Sequence, residues 1–277
     1  MRVVEAGSTI EGLLRESGLP RLEAELLLRS ALGCERIYLI AHAEDTVDPS
    51  SACRAQAWFA RRRLGEPVSY ITGWREFYGL ALRVTPDVLI PRPETEQLMD
   101  LALERVPLGS SARVLDLGTG SGAIAVALAS LRHEWRIIAA DVSDKALDVA
   151  RRNSQEHAVE IDFARSDWFE SIGPDPFDLI VSNSPYVAAG DPHLERGDVR
   201  FEPRIALVGG DDGLACIRRI AAGARQYLRP GGSLLLEHGY DQAESCIALL
   251  RELGYAGVAD FRDLAGLPRV SAAVWCG

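Results

Sequence analysis

Long apolar segments are missing from this chain of 277 residues, and no apolar run approaches the roughly 20 residues that a membrane-spanning helix needs. The first residues, Met1–Glu5, also lack the basic start and apolar stretch of an export signal. We therefore expect a protein that is neither embedded in a membrane nor exported, and that works in the cytoplasm.

Cysteine and histidine are both scarce and scattered. The five cysteines are odd in number and never spaced as Cys-x-x-Cys, and the five histidines form no pair with metal-ligand spacing. These patterns disfavour both a disulfide framework and a zinc site. We expect no metal.

Basic residues are outnumbered, because 30 lysines and arginines stand against 40 aspartates and glutamates, for a formal net charge of −10. This charge opposes attraction to phosphate backbones, so free nucleic acid is not the expected substrate. The apolar fraction of 47% and the charged fraction of 25% are those of an ordinary globular protein. The length allows one or two domains, and we expect two.

Short helices are predicted for residues 1–73, which we expect to form a small N-terminal helical domain. Ser8–Glu11 has the form of a capping box, Pro20 begins a second helix and Gly33 ends it. A further helix ends in Arg61–Arg63, where the helix dipole favours basic residues. This arginine triplet is either a solvated helix end, which we favour, or a contact for a partner.

Residues 74–90 differ in character. The segment Glu76–Val84 mixes aromatic and β-branched residues around the turn-prone Gly79, which predicts a β-hairpin. We expect this hairpin to link the helical domain to a second domain, residues 91–277.

Strands and helices alternate beyond Arg113, which implies right-handed crossovers and a doubly wound parallel sheet. Strands are predicted at 114–116, 137–140, 162–165, 178–182 and 233–237, and helices from about 123 and at 144–155, 214–228 and 242–253. Two final strands, at 257–261 and 270–275, are joined so briefly that they must pair antiparallel.

A glycine-rich loop, Asp116–Gly122, connects the first strand of this sheet to a helix, where glycines let the backbone turn tightly and approach a ligand. With Ala123 the stretch also satisfies the Gly-x-Gly-x-x-Ala pattern of NAD sites, so NAD competes with S-adenosyl-L-methionine as cofactor. Asp116 favours the latter, because a carboxylate attracts its positive amino-acid portion and repels a pyrophosphate. An aspartate here can also merely cap the next turn.

Two later strand ends supply further candidate contacts. Asp141 ends the second strand, where a carboxylate accepts hydrogen bonds from the ribose hydroxyls of either cofactor. After the third strand, Asp167 is expected to accept from an adenine amino group and Trp168 to cover the adenine ring. The alternatives are a helix cap for Asp167 and core packing for Trp168.

The sequence Asn183-Ser184-Pro185-Tyr186 follows the fourth strand and therefore faces the same crevice. An ordinary turn uses the same residue types, but the glycine loop upstream favours a functional role. The motif resembles the (Asn/Asp/Ser)-Pro-Pro-(Tyr/Phe/Trp) sequence of methyltransferases that alkylate amide or exocyclic amino nitrogens. Ser184 departs from that pattern, which has proline there.

The chain as a whole is similar to the release factor glutamine methyltransferase family (PrmC/HemK type). The resemblance covers nearly the whole length and includes Ile90–Glu96, the glycine loop, Asn183–Tyr186, Phe201–Pro203, Ala206-Leu207 and Gly209–Leu214. It implies the class I methyltransferase fold, an α/β sheet of seven strands that is mostly parallel with an antiparallel last strand. It further implies S-adenosyl-L-methionine as cofactor, and N5-methylation of the glutamine in the Gly-Gly-Gln loop of class I peptide chain release factors.

The expected site residues fall into three groups. Catalysis is assigned to Asn183, Ser184, Pro185 and Tyr186. Cofactor binding is assigned to Asp116, Gly118, Thr119, Gly120, Ser121, Gly122, Asp141, Asp167, Trp168 and Asn183. Substrate binding is assigned by resemblance to Arg92, Glu94, Thr95 and the motif Asn183–Tyr186, although Pro93 with Glu94 also suits an ordinary helix start.

Chemistry explains the catalytic residue types independently. An amide nitrogen is a poor nucleophile, because its lone pair is delocalised into the carbonyl. If the Asn183 side-chain oxygen and the Ser184 main-chain carbonyl each accept one N–H bond, they hold the nitrogen in line with the methyl-sulfonium group. Tyr186 would then pack on the planar amide and exclude water. Serine can supply this carbonyl, but it relaxes φ and adds a hydroxyl and an N–H.

Three other functions stay open at the level of sequence. A nucleic-acid amino methyltransferase of the N6-adenine type would use the same tetrapeptide on a flipped base. The others are a non-catalytic protein that binds S-adenosyl-L-methionine and an NAD-dependent oxidoreductase. We expect a monomer that binds release factors, with no direct binding to nucleic acid or membrane.

Overall fold

The computed structural model describes residues 8–277, so the expectation about an export signal in Met1–Glu5 lies outside the described residues. The chain divides into two compact units. The first unit extends to Trp74 and also includes Gly197–Phe201, and the second consists of Arg75–Arg196 and Glu202–Gly277. Within residues 8–277, no helix combines the length and apolar character needed to cross a membrane.

The first unit is helical. Its helices are α1 (Ile10–Glu16), α2 (Arg21–Leu32), α3 (Arg36–Ala41), α4 (Pro49–Arg63) and α5 (Val68–Thr72), and a 3-10 turn spans Val199–Phe201. Apolar side chains of these helices, among them Leu13, Leu28 and Phe59, are buried together in one core. The predicted helical character of this region is confirmed.

The beginning of α1 differs from the expected capping box. Thr9, and not Ser8, caps the helix, because its hydroxyl accepts the N–H of Gly12 at 3.1 Å. The Ser8 carbonyl is instead paired with the N–H of Val47, which holds that residue outside the helix. The end of α2 is as predicted, since Gly33 adopts a left-handed conformation with φ of 67°.

The arginine triplet at the end of α4 is engaged within the first unit. Its partners are Glu66 for Arg61, Glu23 and Asp198 for Arg62, and the Ser17 carbonyl for Arg63. The Arg62–Asp198 pair, at 2.7 Å, holds the segment 197–201 against α4. The contacts favour the interpretation as a helix end over a contact reserved for a partner.

The predicted hairpin is confirmed as strands β1 (Trp74–Phe77) and β2 (Leu80–Arg83). Tyr78 and Gly79 form its turn with positive φ values of 50° and 79°. The buried amide of Asn153 fixes the hairpin, because it bonds to both the N–H and the carbonyl of Arg83 and also donates to the Ser121 carbonyl at 2.8 Å. One amide therefore ties the hairpin to the glycine loop.

The second unit is built on a sheet of seven strands. These are β3 (Arg113–Leu117), β4 (Arg136–Asp141), β5 (Asp162–Arg165), β6 (Phe177–Ser182), β7 (Leu228–Glu237), β8 (Ala256–Arg262) and β9 (Pro268–Val274). They lie in the order β5-β4-β3-β6-β7-β9-β8, and β9 alone runs antiparallel to its neighbours. The predicted α/β architecture with an antiparallel last strand is confirmed.

Helices cover both faces of this sheet. They are α6 (Glu96–Arg105), α7 (Ala123–Leu131), α8 (Asp144–Glu156), α9 (Ala215–Tyr227) and α10 (Ala243–Glu252), with 3-10 turns at Pro93–Thr95, Pro192–Glu195 and Arg204–Ala206. Side chains alternate along β6, so that Leu179 and Val181 pack with α6 and α7 while Ile180 packs with α9 and α10. Because both faces of the sheet are apolar, the polar side chains lie on the loops that follow the carboxyl ends of the strands.

Candidate active site

A cavity of about 590 Å³ lies at the carboxyl ends of the central strands of the second unit. Its volume is within the usual range for small-molecule sites. The walls include Gly118–Ser121 after β3, Asp141–Ser143 after β4, Ser166–Trp168 after β5 and Asn183 after β6. The expected cofactor and catalytic segments thus meet around one space, as parallel strands require.

The glycine loop folds over the end of β4. The N–H groups of Gly118 and Thr119 donate to the Ala140 carbonyl at 2.8 and 3.0 Å, and that of Gly120 donates to Asp141 Oδ2 at 2.9 Å. Gly118 and Gly120 have φ values of 72° and 56°, which glycine adopts without strain. The loop consequently exposes backbone to the cavity.

Gly122 differs from the other glycines of this loop, since it is not part of the cavity lining. A Cβ at this position would lie 3.0 Å from the Cβ of Ala150 in α8. Its φ of 80° also disfavours other residues. In this structure Gly122 lets α7 and α8 pack closely, which corrects the expectation that it faces the cofactor.

Asp116 lies beneath the loop and has no solvent exposure. Its Oδ2 accepts from the Thr119 hydroxyl at 2.6 Å, whereas Oδ1 has no hydrogen-bond partner within residues 8–277. Burial, with a smaller contribution from the nearby Asp141, raises the pKa of this carboxyl to about 7. Asp116 is not part of the cavity lining, so its charge would act on a ligand across the loop.

Asp141 and Asp167 both lie on the cavity wall. Asp141 accepts from the N–H groups of Gly120 and Ser143, each at 2.9 Å, and burial raises its pKa. Asp167 is partly exposed and its Oδ2 accepts from Arg219 at 3.0 Å. Each carboxylate keeps capacity for further hydrogen bonds, because a carboxylate has about four acceptor sites.

Trp168 lines the cavity with an unusual backbone conformation. Its φ of 54° is left-handed, which is strained for a residue with a large side chain. A Cβ at Gly118 would lie 3.7 Å from Trp168 Cζ3, so the ring stands beside the glycine loop. Nothing in the sequence indicated this conformation.

The four residues of the catalytic motif face different surroundings. Asn183 and Pro185 line the cavity, and Asn183 Nδ2 donates to the Thr95 hydroxyl at 3.0 Å. Ser184 is almost fully buried, and its hydroxyl has no hydrogen-bond partner among residues 8–277. Tyr186 packs against the core, and its hydroxyl lies 3.3 Å from Glu237 Oε1. Its ring is not part of the cavity lining, contrary to the expectation that it covers the substrate amide.

Two glycines of the segment 209–213 pack directly against the backbone of this motif. A Cβ at Gly209 would lie 2.4 Å from the Pro185 carbonyl, and one at Gly213 would lie 2.3 Å from the Tyr186 carbonyl. Gln242 Nε2 donates to the same Tyr186 carbonyl at 3.0 Å. The sequence singled out this segment without assigning it a purpose, and its structural role is to let two backbones touch.

The residues expected to bind substrate are only partly brought to the cavity. Thr95 lines it, but Arg92 and Glu94 do not. Arg92 donates to the buried Glu202 at 2.7 Å, and this ion pair anchors the loop that carries Glu202. In this structure Arg92 therefore holds a loop in place.

Several wall residues were missed from sequence. Phe77, Val88 and Leu89 come from the segment treated as a linker, Pro91 directly follows that segment, and Ile205 and Cys216 come from beyond β6. The apolar character of 88–91 was visible, but nothing in it distinguished a cavity wall from a buried connection. Their contribution makes the linker segment part of the site.

The cavity suits a positively charged adenosyl compound better than a dinucleotide. Three carboxylates line it, Asp87, Asp141 and Asp167, and its two arginines are already paired, Arg219 with Asp167 and Arg204 with Glu195, so neither guanidinium is free to hold a pyrophosphate. The orphaned Oδ1 of Asp116 adds negative charge close to the loop whenever that group is ionised. These residues fit S-adenosyl-L-methionine.

Comparisons with known proteins agree with the motifs. A family model described as the PrmC N-terminal domain matches residues 5–73, and one described as the methyltransferase small domain matches residues 95–196. The release factor glutamine methyltransferase of Burkholderia pseudomallei is 49% identical over 271 residues, which cover 95% of each chain. The chain belongs to the release factor glutamine methyltransferase family.

Other members and structures support this placement. The family member from Coxiella burnetii is 44% identical over 275 residues, which cover 99% of each chain. A methyltransferase from Pyrococcus furiosus has the same fold, with a TM-score of 0.55 and 20% identity over 79% of this chain and 97% of that one. The resemblance seen in the motifs is confirmed, and with it S-adenosyl-L-methionine as cofactor in place of NAD.

Proposed function

We propose that this chain transfers the methyl group of S-adenosyl-L-methionine to the side-chain nitrogen, N5, of the glutamine in the Gly-Gly-Gln loop of class I peptide chain release factors. The observation that carries the proposal is the orientation of Asn183 on the cavity wall. Its Nδ2 is taken by Thr95, so Oδ1 is left to accept a hydrogen bond. A glutamine amide offers two N–H donors and needs such an acceptor.

The cofactor supplies a methyl group bonded to positively charged sulfur, and the residues of the chain align the nitrogen with it. Asn183 Oδ1 and the Ser184 carbonyl each accept one N–H of the substrate amide. These bonds fix the nitrogen and stabilise the positive charge that develops on it. No side-chain base is needed before the transfer, because the proton leaves afterwards, when the nitrogen has become acidic.

Cofactor binding is proposed for the glycine loop and the two carboxylates of the wall. Gly118–Ser121 would cradle the amino-acid portion, Asp141 would accept from the ribose hydroxyls, and Asp167 would accept from the adenine amino group beside Trp168. Their common location on the wall supports these roles. Asp116 would attract the cationic portion across the loop.

We extend the proposal to the organisation of the whole protein. Residues 1–73 would recognise the release factor, 74–90 would connect and complete the cavity, and 91–277 would carry out the methylation. The protein would act as a monomer in the cytoplasm, where release factors work. The formal charge of −10 supports a substrate other than free nucleic acid.

A nucleic-acid amino methyltransferase is the main alternative, since adenine N6 has the same donor pattern as an amide. Binding to duplex DNA that weakens steeply with salt would favour it. We expect no such binding, and we expect methyl transfer to a purified release factor at the same protein concentration.

Replacing the proposed acceptor separates chemistry from cofactor binding. Asn183→Ala should lower incorporation of labelled methyl into a release factor roughly 10²- to 10³-fold, because one aligned acceptor is lost. Its affinity for S-adenosyl-L-methionine, measured by calorimetry, should stay within a few-fold of the unaltered protein. Loss of cofactor affinity with unchanged turnover per bound complex would contradict the role given to Asn183.

A further inference from the structure

Thr95 stands at the start of α6 but does not cap it. Threonine at this position normally accepts a backbone N–H of the first turn, whereas here its side chain makes no capping bond. Thr95 is 4% exposed and its hydroxyl instead accepts Asn183 Nδ2 at 3.0 Å. The helix forgoes a cap, and the hydroxyl is directed to the proposed catalytic amide.

A hydroxyl alone does not decide which way an amide faces, because it can donate as well as accept. In the structure the Thr95 hydroxyl is the acceptor, because Asn183 presents Nδ2 to it at 3.0 Å. Glu237 lies nearby at the end of β7, where burial raises the pKa of its carboxyl to about 7 and the Thr95 hydroxyl lowers that pKa. When it is ionised, this carboxylate can only accept, which favours the Thr95 hydroxyl as a donor to it and as an acceptor from Asn183.

We propose that Thr95 is a positioning residue that holds the Asn183 amide with its oxygen towards the substrate. The inference rests on the proposed function. If the amide were rotated by half a turn, its NH₂ group would face the NH₂ group of the glutamine, and two donors would meet. Thr95 therefore acts through Asn183 and makes no bond to the substrate.

The surroundings of Glu237 fit this role. Its side chain is buried at the end of β7, and the Tyr186 hydroxyl lies 3.3 Å from Oε1. Tyr186, at the other end of the tetrapeptide from Asn183, therefore contacts the buried carboxyl that lies close to Thr95.

The test compares Thr95→Val, which keeps the shape and removes the hydroxyl, with Thr95→Ser, which keeps the hydroxyl. We expect Thr95→Val to lower kcat for release factor methylation roughly ten- to hundredfold, because the acceptor is misaligned. KM for the release factor and Kd for S-adenosyl-L-methionine should stay within about twofold, and Thr95→Ser should recover most of kcat. Ser130→Ala, which removes a hydroxyl that donates to the Val126 carbonyl within α7 and lies outside the cavity lining, is the control.

The outcomes distinguish a positioning role for Thr95 from direct substrate contact and from packing. A raised KM with unchanged kcat would overturn the proposal in favour of direct substrate contact, and equal defects in Thr95→Val and Thr95→Ser would overturn it in favour of packing. If Thr95→Val does not fold, Thr95→Ala replaces it with the same expectations. Absence of methyl transfer by the unaltered chain would overturn the proposed function itself, whereas normal transfer by Thr95→Val would overturn only the role of Thr95.

Discussion

Asp116 is a fully buried carboxyl at the start of the glycine loop. Burial raises its pKa to about 7, so that the carboxyl is largely neutral below that pH and ionised above it. A positively charged cofactor favours the ionised form. Cofactor affinity and the ionisation of Asp116 are therefore coupled.

We predict that affinity for S-adenosyl-L-methionine falls several-fold as the pH is lowered from about 7.5 to about 5.5. Calorimetric titration at each pH measures it. Asp116→Asn should bind more weakly at the higher pH and lose most of the pH dependence. If the affinity of the unaltered protein for the cofactor stayed constant over this pH range, the ionisation of Asp116 would not be coupled to cofactor binding.

The same pKa shift lowers the stability of the cofactor-free protein as the pH rises. Because the folded pKa lies above the unfolded value of 3.8, the contribution of this group to the free energy of unfolding is fully present below about pH 3.8 and is lost progressively until the pH reaches about 7. Without cofactor, Asp116→Asn should therefore gain more stability relative to the unaltered protein at pH 8 than at pH 5. Thermal unfolding at the two pH values checks this, and an equal difference at both would count against the shift.

Ser184 carries a buried hydroxyl that has no hydrogen-bond partner among residues 8–277, at a position where the family pattern has proline. Ser184→Ala should raise the free energy of unfolding by about 1 kcal/mol, because it removes an unsatisfied polar group. Ser184→Pro should leave turnover similar or modestly higher, since the proposed acceptor is a main-chain carbonyl. A hundredfold rise in turnover would mean that serine cripples this site.

At the scale of elements, the segment 209–213 and the catalytic loop touch backbone to backbone. Gly213 and Gly231 both have positive φ, at 75° and 84°, but only Gly213 faces another backbone, since nothing lies within 4 Å of a Cβ at Gly231. The two glycines form a matched pair. Replacing each of them with alanine separates the cost of backbone strain from the effect of displacing the Tyr186 carbonyl.

We predict that Gly213→Ala and Gly231→Ala each lose roughly 1 kcal/mol of stability from strain, and that Gly213→Ala loses more through its collision. Only Gly213→Ala should also lower kcat, roughly tenfold or more, because the catalytic loop must shift. Denaturant unfolding and steady-state kinetics measure the two effects. Equal kcat values in both variants would mean that the contact between Gly213 and the Tyr186 carbonyl does not position the catalytic loop.

The elements themselves were largely predictable from sequence. The strand at 162–165 and the helix at 144–155 were placed nearly as found, because apolar periodicity marks buried segments. The strand predicted to begin at residue 233 begins at Leu228 instead, where the pairing register with β6 shifts across Gly231 and Gly232. A Pro-Gly-Gly sequence predicts a turn, and only the neighbouring strand reveals that it is a bulge.

The candidate site was predictable only where short motifs carry it. The segments after β3 to β6 were expected to meet, since carboxyl ends of parallel strands share one edge. Three features were not expected. Thr95 bonds to Asn183 and does not cap its helix, Tyr186 packs against the core, and Gly122 lets two helices pack closely. Each depends on which face of a loop meets a distant element, and no local sequence pattern records that.

At the scale of the whole molecule, the charges agree with the proposed chemistry. The chain has a formal charge of −10, and carboxylates lie on or beneath the cavity wall. A cationic cofactor and a neutral amide both suit such surroundings, whereas a phosphate backbone does not. The helical unit, which the PrmC N-terminal domain model matches, is the proposed source of selectivity for the release factor.

The most direct measurement is peptide mass spectrometry of a purified class I release factor after incubation with this protein and S-adenosyl-L-methionine. The account predicts one added methyl group on the glutamine of the Gly-Gly-Gln loop, absent when the cofactor is omitted and nearly absent with Asn183→Ala. A competent release factor that gains no mass, or gains it at another residue, would contradict it.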